Sequence, residues 1–100
     1  MTGDEAYEEM MSAKQHYVSK FFQATTTKPV TMRVWNGIHP VEENTRTREA
    51  PPGTRVLVTM ASRFGDVGIR DSEIDWAEHG YYARVMPNEL ADWTPLASKR

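Results

Sequence analysis

The chain has no cysteine and no long apolar run, and each absence removes a class of protein. Without cysteine there is no disulfide, no thiolate nucleophile and no cysteine zinc site, so a metal site needs His, Asp and Glu alone. No stretch approaches the roughly 20 apolar residues of a membrane span, and the first residues lack the basic and apolar regions of a signal peptide. We therefore expect a soluble, unprocessed protein of the cytoplasm.

Motifs for catalysis or phosphate binding are missing too. The three histidines, His16, His39 and His79, lie far apart and form no HxxxH or HExxH spacing. Ser62 has no neighbouring base and no GxSxG context, and Gly65-x-x-Gly68 lacks the Lys-Ser/Thr of a phosphate loop. We expect a protein that is not an enzyme and has no cofactor.

One acidic stretch invites comparison with a calcium loop. Asp71-x-Glu73-x-Asp75 alternates carboxylates as an EF-hand does, but Trp76 replaces the required glycine and Tyr82 the bidentate glutamate. The sequence therefore predicts no metal site.

Length and charge describe one domain with uneven electrostatics. A chain of 100 residues is a single domain that buries about 60 to 70% of its unfolded surface. The net charge of −2 divides into −2 over residues 1–24, +3 over 25–70, −4 over 71–80 and +1 over 81–100. We expect a mildly basic sheet region beside one acidic loop.

The hydrophobic period changes near Ala24, from helical spacing to short alternating runs. This change predicts a helix over residues 1–24, a small β-barrel over 25–96 and a tail over 97–100. The helix begins with Thr2-Gly3-Asp4-Glu5, a capping box with Thr2 as the cap. Its apolar stripe comprises Tyr7, Met10, Met11, Tyr17, Val18, Phe21 and Phe22. The stripe either packs on the sheet as core or serves as a dimerisation or docking face.

The first strands are predicted to form a tight hairpin. Val30–Trp35 alternates, and Asn36-Gly37 supplies a two-residue turn into Ile38–Val41. Such a turn sets Met32 opposite Val41. Residues 42–53 are predicted to be a polar loop.

Later strands follow from alternation and turn residues. We predict strands over Thr54–Met60, Val67–Arg70 and Gly80–Met86, with a turn at Phe64-Gly65-Asp66. Pro87–Leu90 is predicted to be one helical turn before a brief last strand. The fold class is thus α+β, an N-terminal helix plus a five-stranded antiparallel SH3-like barrel or strongly bent sheet.

Two resemblances accompany this fold. The run Gly53-x-x-Val56-x-Val58, then Gly65-x-x-Gly68-Ile69, resembles the KOW motif of SH3-like barrels, with Ala61 in place of a family glycine. The resemblance implies a small barrel and makes RNA or DNA binding one expectation. Residues 62–85 also resemble small uncharacterised proteins of actinobacterial phages, which implies binding to a host component.

The first functional hypothesis is a protein-binding module. Ile74 and Trp76 sit among carboxylates, including Glu78, and apolar anchors ringed by charge are typical of binding surfaces. Arg63 and Phe64 at the turn complete the predicted partner site. In the alternative interpretation Trp76 folds back and closes one end of the barrel.

Two further hypotheses use other residues. A KOW-like nucleic-acid module would bind through Arg33, Trp35, Arg55 and Arg63, a basic and aromatic set suited to single strands. A homodimer would form through Tyr7, Met10, Tyr17 and Phe21 on the helix stripe.

Overall fold

The structure is a computed structural model that describes residues 1–35, 47–71 and 80–96. These residues form one α-helix, α1 (Gly3–Gln15), one turn of 3-10 helix, η1 (Pro87–Glu89), and seven strands. The strands are β1 (Phe22–Thr26), β2 (Val30–Trp35), β3 (Thr47–Ala50), β4 (Arg55–Ala61), β5 (Val67–Asp71), β6 (Gly80–Val85) and β7 (Leu90–Pro95). The α+β class with a bent antiparallel sheet is confirmed. The predicted number of five strands is wrong, because the described residues contain seven.

All seven strands belong to one sheet in the order β3-β2-β6-β5-β4-β1-β7, and every neighbouring pair is antiparallel. The sheet curls into a half-barrel with β3 and β7 as its edge strands. Curling gives the sheet a concave inner face that can enclose a core and a convex outer face that meets solvent.

The inner face carries the core. Every second residue of β1 is buried, namely Phe22, Ala24 and Thr26, as a strand with one buried face requires. The largest completely buried side chains are Phe22, Ile69, Val56, Val58 and Val67. The rings of Phe22 and Trp93 meet edge to face, with centroids 5.8 Å apart, which is a favoured aromatic geometry.

Helix α1 covers this core, so the interpretation of its stripe as core is confirmed for the residues within the helix. Ala6 and Met10 are buried in the cluster, and the helix contacts η1, β4 and β7. The predicted capping box is present: the Glu5 amide donates to the Thr2 hydroxyl at 3.1 Å and the Thr2 amide donates to the Glu5 carboxylate at 3.0 Å. The bond from the Thr2 amide lowers the pKa of Glu5.

The predicted helix over residues 1–24 is too long, because α1 ends at Gln15. The amide of Tyr17 donates to the Lys14 carbonyl and the amide of Val18 to the Ala13 carbonyl, the two bonds of a Schellman motif. Tyr17 takes the left-handed position, φ 58°, that glycine usually fills. The chain then reverses, and Phe22 enters a strand instead of a helix.

The predicted pairing of β2 is also wrong. Met32 lies opposite Arg48 of β3 instead of Val41, and Thr47–Ala50 is a strand within the segment predicted to be a loop. The turn at Asn36-Gly37 and the predicted strand Ile38–Val41 lie outside the described residues.

The strands predicted from clean alternation are confirmed with small shifts of their ends, as are the turn at residues 64–66 and the helical turn η1. Within the described parts of the chain, no helix has the length and apolar character needed to cross a membrane.

Candidate functional site

The turn between β4 and β5 is closed by a dense set of hydrogen bonds. The Ser62 amide donates to the Asp66 carbonyl at 2.9 Å, and the Gly65 amide to the Ser62 carbonyl at 3.2 Å. Gly65 has φ 96°, which glycine adopts without strain. The Ser62 hydroxyl donates to the Asp66 carboxylate and accepts from the Phe64 amide at 3.1 Å. The turn is therefore held in one conformation.

Neighbouring elements anchor the same turn. The Tyr7 hydroxyl of α1 donates to the Ser62 carbonyl, which ties the helix to the turn. The Asp66 carboxylate lies 3.5 Å from the Arg84 guanidinium, and Arg84 Nε donates to the Tyr82 hydroxyl at 2.9 Å. The bond to Tyr82, with a smaller contribution from the Asp66 carboxylate, raises the pKa of Arg84.

This anchored turn presents apolar side chains to solvent. Phe64 is 76% exposed and Met86 is 44% exposed. Met86 lies next to the turn, since a Cβ placed on Gly65 would be 3.7 Å from the Met86 Cε. The Arg63 guanidinium lies 5.0 Å from the centre of the Phe64 ring, within cation–π range. We refer to Phe64, Met86 and Arg63 as the turn patch.

The base of Met86 is fixed from the other side. Glu89 accepts from the Met86 amide at 3.2 Å and pairs with the Lys28 ammonium at 2.5 Å. The bond from Lys28, followed by that from Met86, lowers the pKa of Glu89. Both apolar members of the turn patch therefore sit on backbone that the fold holds rigid.

A second surface lies on the outer face of the sheet. The strand register places one residue of each strand in a continuous line, which we call the outer row: Thr47, Arg33, Tyr82, Arg70, Leu57, Gln23 and Thr94. Tyr82 stands between Arg33 of β2 and Arg70 of β5. The row thus contains an aromatic ring flanked by two guanidinium groups.

The ring of Tyr82 lies beside a glycine. A Cβ placed on Gly68 would be 3.0 Å from Tyr82 Cε2, 3.2 Å from its hydroxyl oxygen and 3.5 Å from its Cζ. Because this Cβ would be farther from Cζ than from the two atoms on either side of it, the edge of the ring faces Gly68. The side chain of Tyr82 is half-buried.

Arg55 has a structural role at the β7 edge of the same face. Its guanidinium donates to the Thr25 hydroxyl at 3.0 Å, to the Asp92 carbonyl at 2.5 Å and to the Thr94 hydroxyl at 2.5 Å. Asp92 has φ 52° and lies where the β1–β7 register shifts, so Arg55 joins the two strands across an irregularity.

Only two of the five predicted partner-binding residues lie within the described part of the chain. Arg63 and Phe64 lie in the exposed turn, whereas Ile74, Trp76 and Glu78 lie outside the described residues. Arg63 and Phe64 precede β5 and the segment 72–79 follows it, so the chain enters that segment at the far end of a five-residue strand, roughly 15 Å away.

The predicted nucleic-acid residues do not form one cluster. Arg33 belongs to the outer row, Arg55 bonds to the β7 edge and Arg63 lies in the turn. Trp35 pairs with Gly80 through its backbone, and its side chain lies outside the described part. Among the residues of the two surfaces, the sequence analysis did not single out Tyr82, Arg70 or Met86. Alternation in β5 and β6 was the available signal for the first two, because it places them on the face opposite the buried Ile69 and Val85.

The four predicted self-association residues do not share an exposed face, and the homodimer stays a prediction. Met10 is 5% exposed and Tyr7 bonds to Ser62, so both are used within one molecule. Tyr17 is 97% exposed but lies beyond the helix end, and Phe21 is partly buried. The apolar stripe is continuous in the sequence, but in the structure the end of α1 divides it.

The described residues contain a groove beside α1 but no cluster of metal-binding side chains. Over residues 1–35, 47–71 and 80–96, no three His, Asp or Glu side chains are close enough to hold a metal ion. A groove of about 190 Å³ separates α1 from β4, and its lining includes Met10, Met60, Lys14 and Lys20 but no histidine or carboxylate to act as an acid–base partner.

Comparison with known proteins adds no relative: no family model matches the chain, and searches of curated proteins and of solved structures find no match. The resemblances to the KOW motif and to small phage proteins therefore stay predictions that depend on the motif residues alone.

Proposed function

We propose that this protein is a non-enzymatic module that binds a protein partner, with the turn patch as its contact surface. The exposure of Phe64 on a rigid turn supports the proposal most directly. Exposing a phenylalanine ring to water costs about 2 kcal/mol relative to burying it. A partner that covers Phe64 at the turn would recover this free energy.

Rigidity makes the turn patch suited to binding. A backbone that is already ordered loses little conformational entropy when a partner covers it. The Ser62–Asp66 bond, the Tyr7 contact and the Glu89 bond to the Met86 amide provide that backbone order before binding. The turn patch combines the aromatic Phe64 with Met86 and Arg63, which is the composition of an interface hot spot.

The partner chemistry follows from the same residues. An apolar pocket would receive the Phe64 ring, and a carboxylate at its rim would pair with Arg63. The predicted anchors Ile74 and Trp76 belong to the proposed module as a second contact segment, and the proposal for the turn patch does not depend on them.

Photo-crosslinking tests the proposal. A benzophenone amino acid placed at position 64 should crosslink one specific protein in cells that naturally make the chain, whereas the same group at position 17 should not. Position 17 is the matched control, because Tyr17 is also an exposed aromatic residue. The captured protein, once purified, should bind Phe64→Ala at least about 30-fold more weakly than wild type, the effect expected of a hot spot.

The control variant Tyr17→Ala should bind like wild type. Equal crosslinking from positions 64 and 17, or equal affinity of Phe64→Ala and wild type for the purified partner, would overturn the assignment of the turn patch.

A further inference from the structure

The groove between α1 and β4 lies close to the turn patch and has a chemistry of its own. We propose that it receives one aliphatic side chain of the protein partner, while a carboxylate next to that side chain pairs with Lys14. The partner segment at the groove is therefore acidic and apolar. This inference rests on the proposed function, because it assigns the groove and the turn patch to one interface.

A β-bulge exposes Met60 at the groove. Val58 is completely buried, and regular alternation along β4 would bury Met60 next. The step from Val58 to Met60 covers two residues of β4 but only one of β5, so the alternation shifts. Ala61 is buried instead, and Met60 is 50% exposed. The bulge thus takes an apolar side chain out of the core and places it in the lining of the groove.

The size of the groove suits a single side chain. Its volume of about 190 Å³ is below the range of about 300 to 1,000 Å³ that is typical of sites for small-molecule ligands and cofactors. A cavity of about 150 Å³ holds one benzene molecule, so a leucine or isoleucine side chain would fill this groove. Met10 and Met60 line it with flexible side chains that adapt to an inserted group.

Charge at the groove favours an acidic segment. Among the described residues that line it, Lys14 and Lys20 are charged and none is acidic. Lys20 pairs with Glu9 at 3.0 Å. Lys14 is exposed and pairs with no carboxylate of the described residues. The two ammonium groups and the Glu9 carboxylate therefore leave one positive charge for a carboxylate of the partner.

Other charged parts of the chain do not supply that carboxylate. The last carbonyls of α1 accept from the amides of residues 16–18, so the negative end of the helix is satisfied within the chain. The acidic stretch 71–80 begins at Asp71, which pairs with Val56 near the other end of β4 from the groove. Residues 97–100 contain two basic and no acidic side chains. We therefore expect the acidic group from a partner.

The groove and the turn patch are close enough for one partner to cover both. Ala61 lines the groove, and Phe64 is three residues further along the chain, so their Cα atoms are at most about 11 Å apart. A protein interface of standard size buries about 800 Å² on each partner, which is enough for both. Arg63 lies between the two and adds a second cation to the same contact.

Titration with N-acetyl-leucine tests the groove without the partner, because this compound carries one aliphatic side chain and one carboxylate. Amide ¹H–¹⁵N spectra should show saturable shifts at Met10, Val18 and Met60, with a dissociation constant of about 1 to 10 mM for a ligand of this size. N-acetyl-leucinamide, which lacks the carboxylate, should bind about two- to fivefold more weakly. Lys14→Gln should remove the difference between the acid and the amide.

Arg63→Gln is the matched control, because it removes a positive charge outside the groove and should preserve that difference. Thermal unfolding of each variant verifies that the fold is intact. Absence of saturable shifts up to about 50 mM, or equal affinity for the acid and the amide, would overturn the groove assignment and leave the turn patch unaffected.

Crosslinking tests whether the partner occupies the groove. A benzophenone amino acid at position 60 should capture the same protein as at position 64, and Lys14→Gln should weaken binding of that purified protein about two- to fivefold. Capture from position 64 alone, or full affinity of Lys14→Gln, would exclude the groove from the interface and retain the turn patch. Capture from neither position would overturn the proposed function together with this inference.

Discussion

The two faces of the sheet are built from the same strands but differ in residue type and in burial. On the inner face, successive strands contribute small or branched apolar residues that are completely buried, such as Val56, Val58 and Ile69. On the outer face, the alternate positions of these strands hold Leu57, Arg70 and other residues in contact with solvent. The inner face therefore contributes most of the buried apolar surface, whereas the outer face meets solvent.

The largest test of this contrast compares two phenylalanines. Phe22→Ala removes a completely buried ring that packs on Trp93, so it should lower the free energy of unfolding by about 3 to 5 kcal/mol. Phe64→Ala removes a ring that is 76% exposed and should change that free energy by no more than about 0.5 kcal/mol. Urea denaturation followed by tryptophan fluorescence measures both.

If Phe22→Ala leaves too little folded protein to measure, Phe22→Leu provides a smaller effect of the same sign. A Phe64→Ala variant as unstable as Phe22→Ala would show that the turn is part of the core and would remove the contrast.

The second test concerns the seam where α1 meets η1. A Cβ on Gly3 would lie 2.5 Å from the Pro87 carbonyl oxygen, a backbone atom that cannot turn away. Gly3→Ala should therefore lower the free energy of unfolding by about 1 to 3 kcal/mol, although alanine is the better helix former. Ser12→Ala, at an exposed helix position, is the control and should be neutral or slightly stabilising. A Gly3→Ala variant more stable than wild type would show that the helix does not pack on η1 as described.

Sequence patterns identify most of the inner face and miss two strands for physical reasons. β4, β5 and β6 alternate cleanly and are bounded by turn residues, so their positions follow from period alone. β1 was not predicted because Phe21 and Phe22 continue the helical spacing. The helix ends at Gln15, and the left-handed position that follows is filled by Tyr17 and not by the glycine that would mark a helix end in the sequence. β3 is a short edge strand with three exposed positions, so it has no apolar alternation to read.

The two candidate surfaces also differ in how far the sequence alone could predict them. The turn at Phe64 follows from local residues, because glycine and aspartate mark the turn and an aromatic side chain there has few places to be buried. The outer row could not be found locally. Arg33 and Tyr82 are distant in sequence, and only the strand order and register make them neighbours. Non-local pairing of this kind is fixed by how the whole sheet closes on its core.

The smallest test asks whether the outer face has a defined structure of its own. Gly68→Ala should gain stability from the lower entropy of the unfolded chain and lose it because the new Cβ would lie 3.0 Å from the Tyr82 ring. We expect a net loss of up to about 1 kcal/mol in the wild-type background and a gain of about 0.5 kcal/mol in Tyr82→Ala, where the ring no longer occupies the space. The coupling between the two positions is the difference of these values and is obtained from four denaturation curves. Additive effects would mean that the edge of the Tyr82 ring does not lie against Gly68, and the outer face would then lack this defined contact.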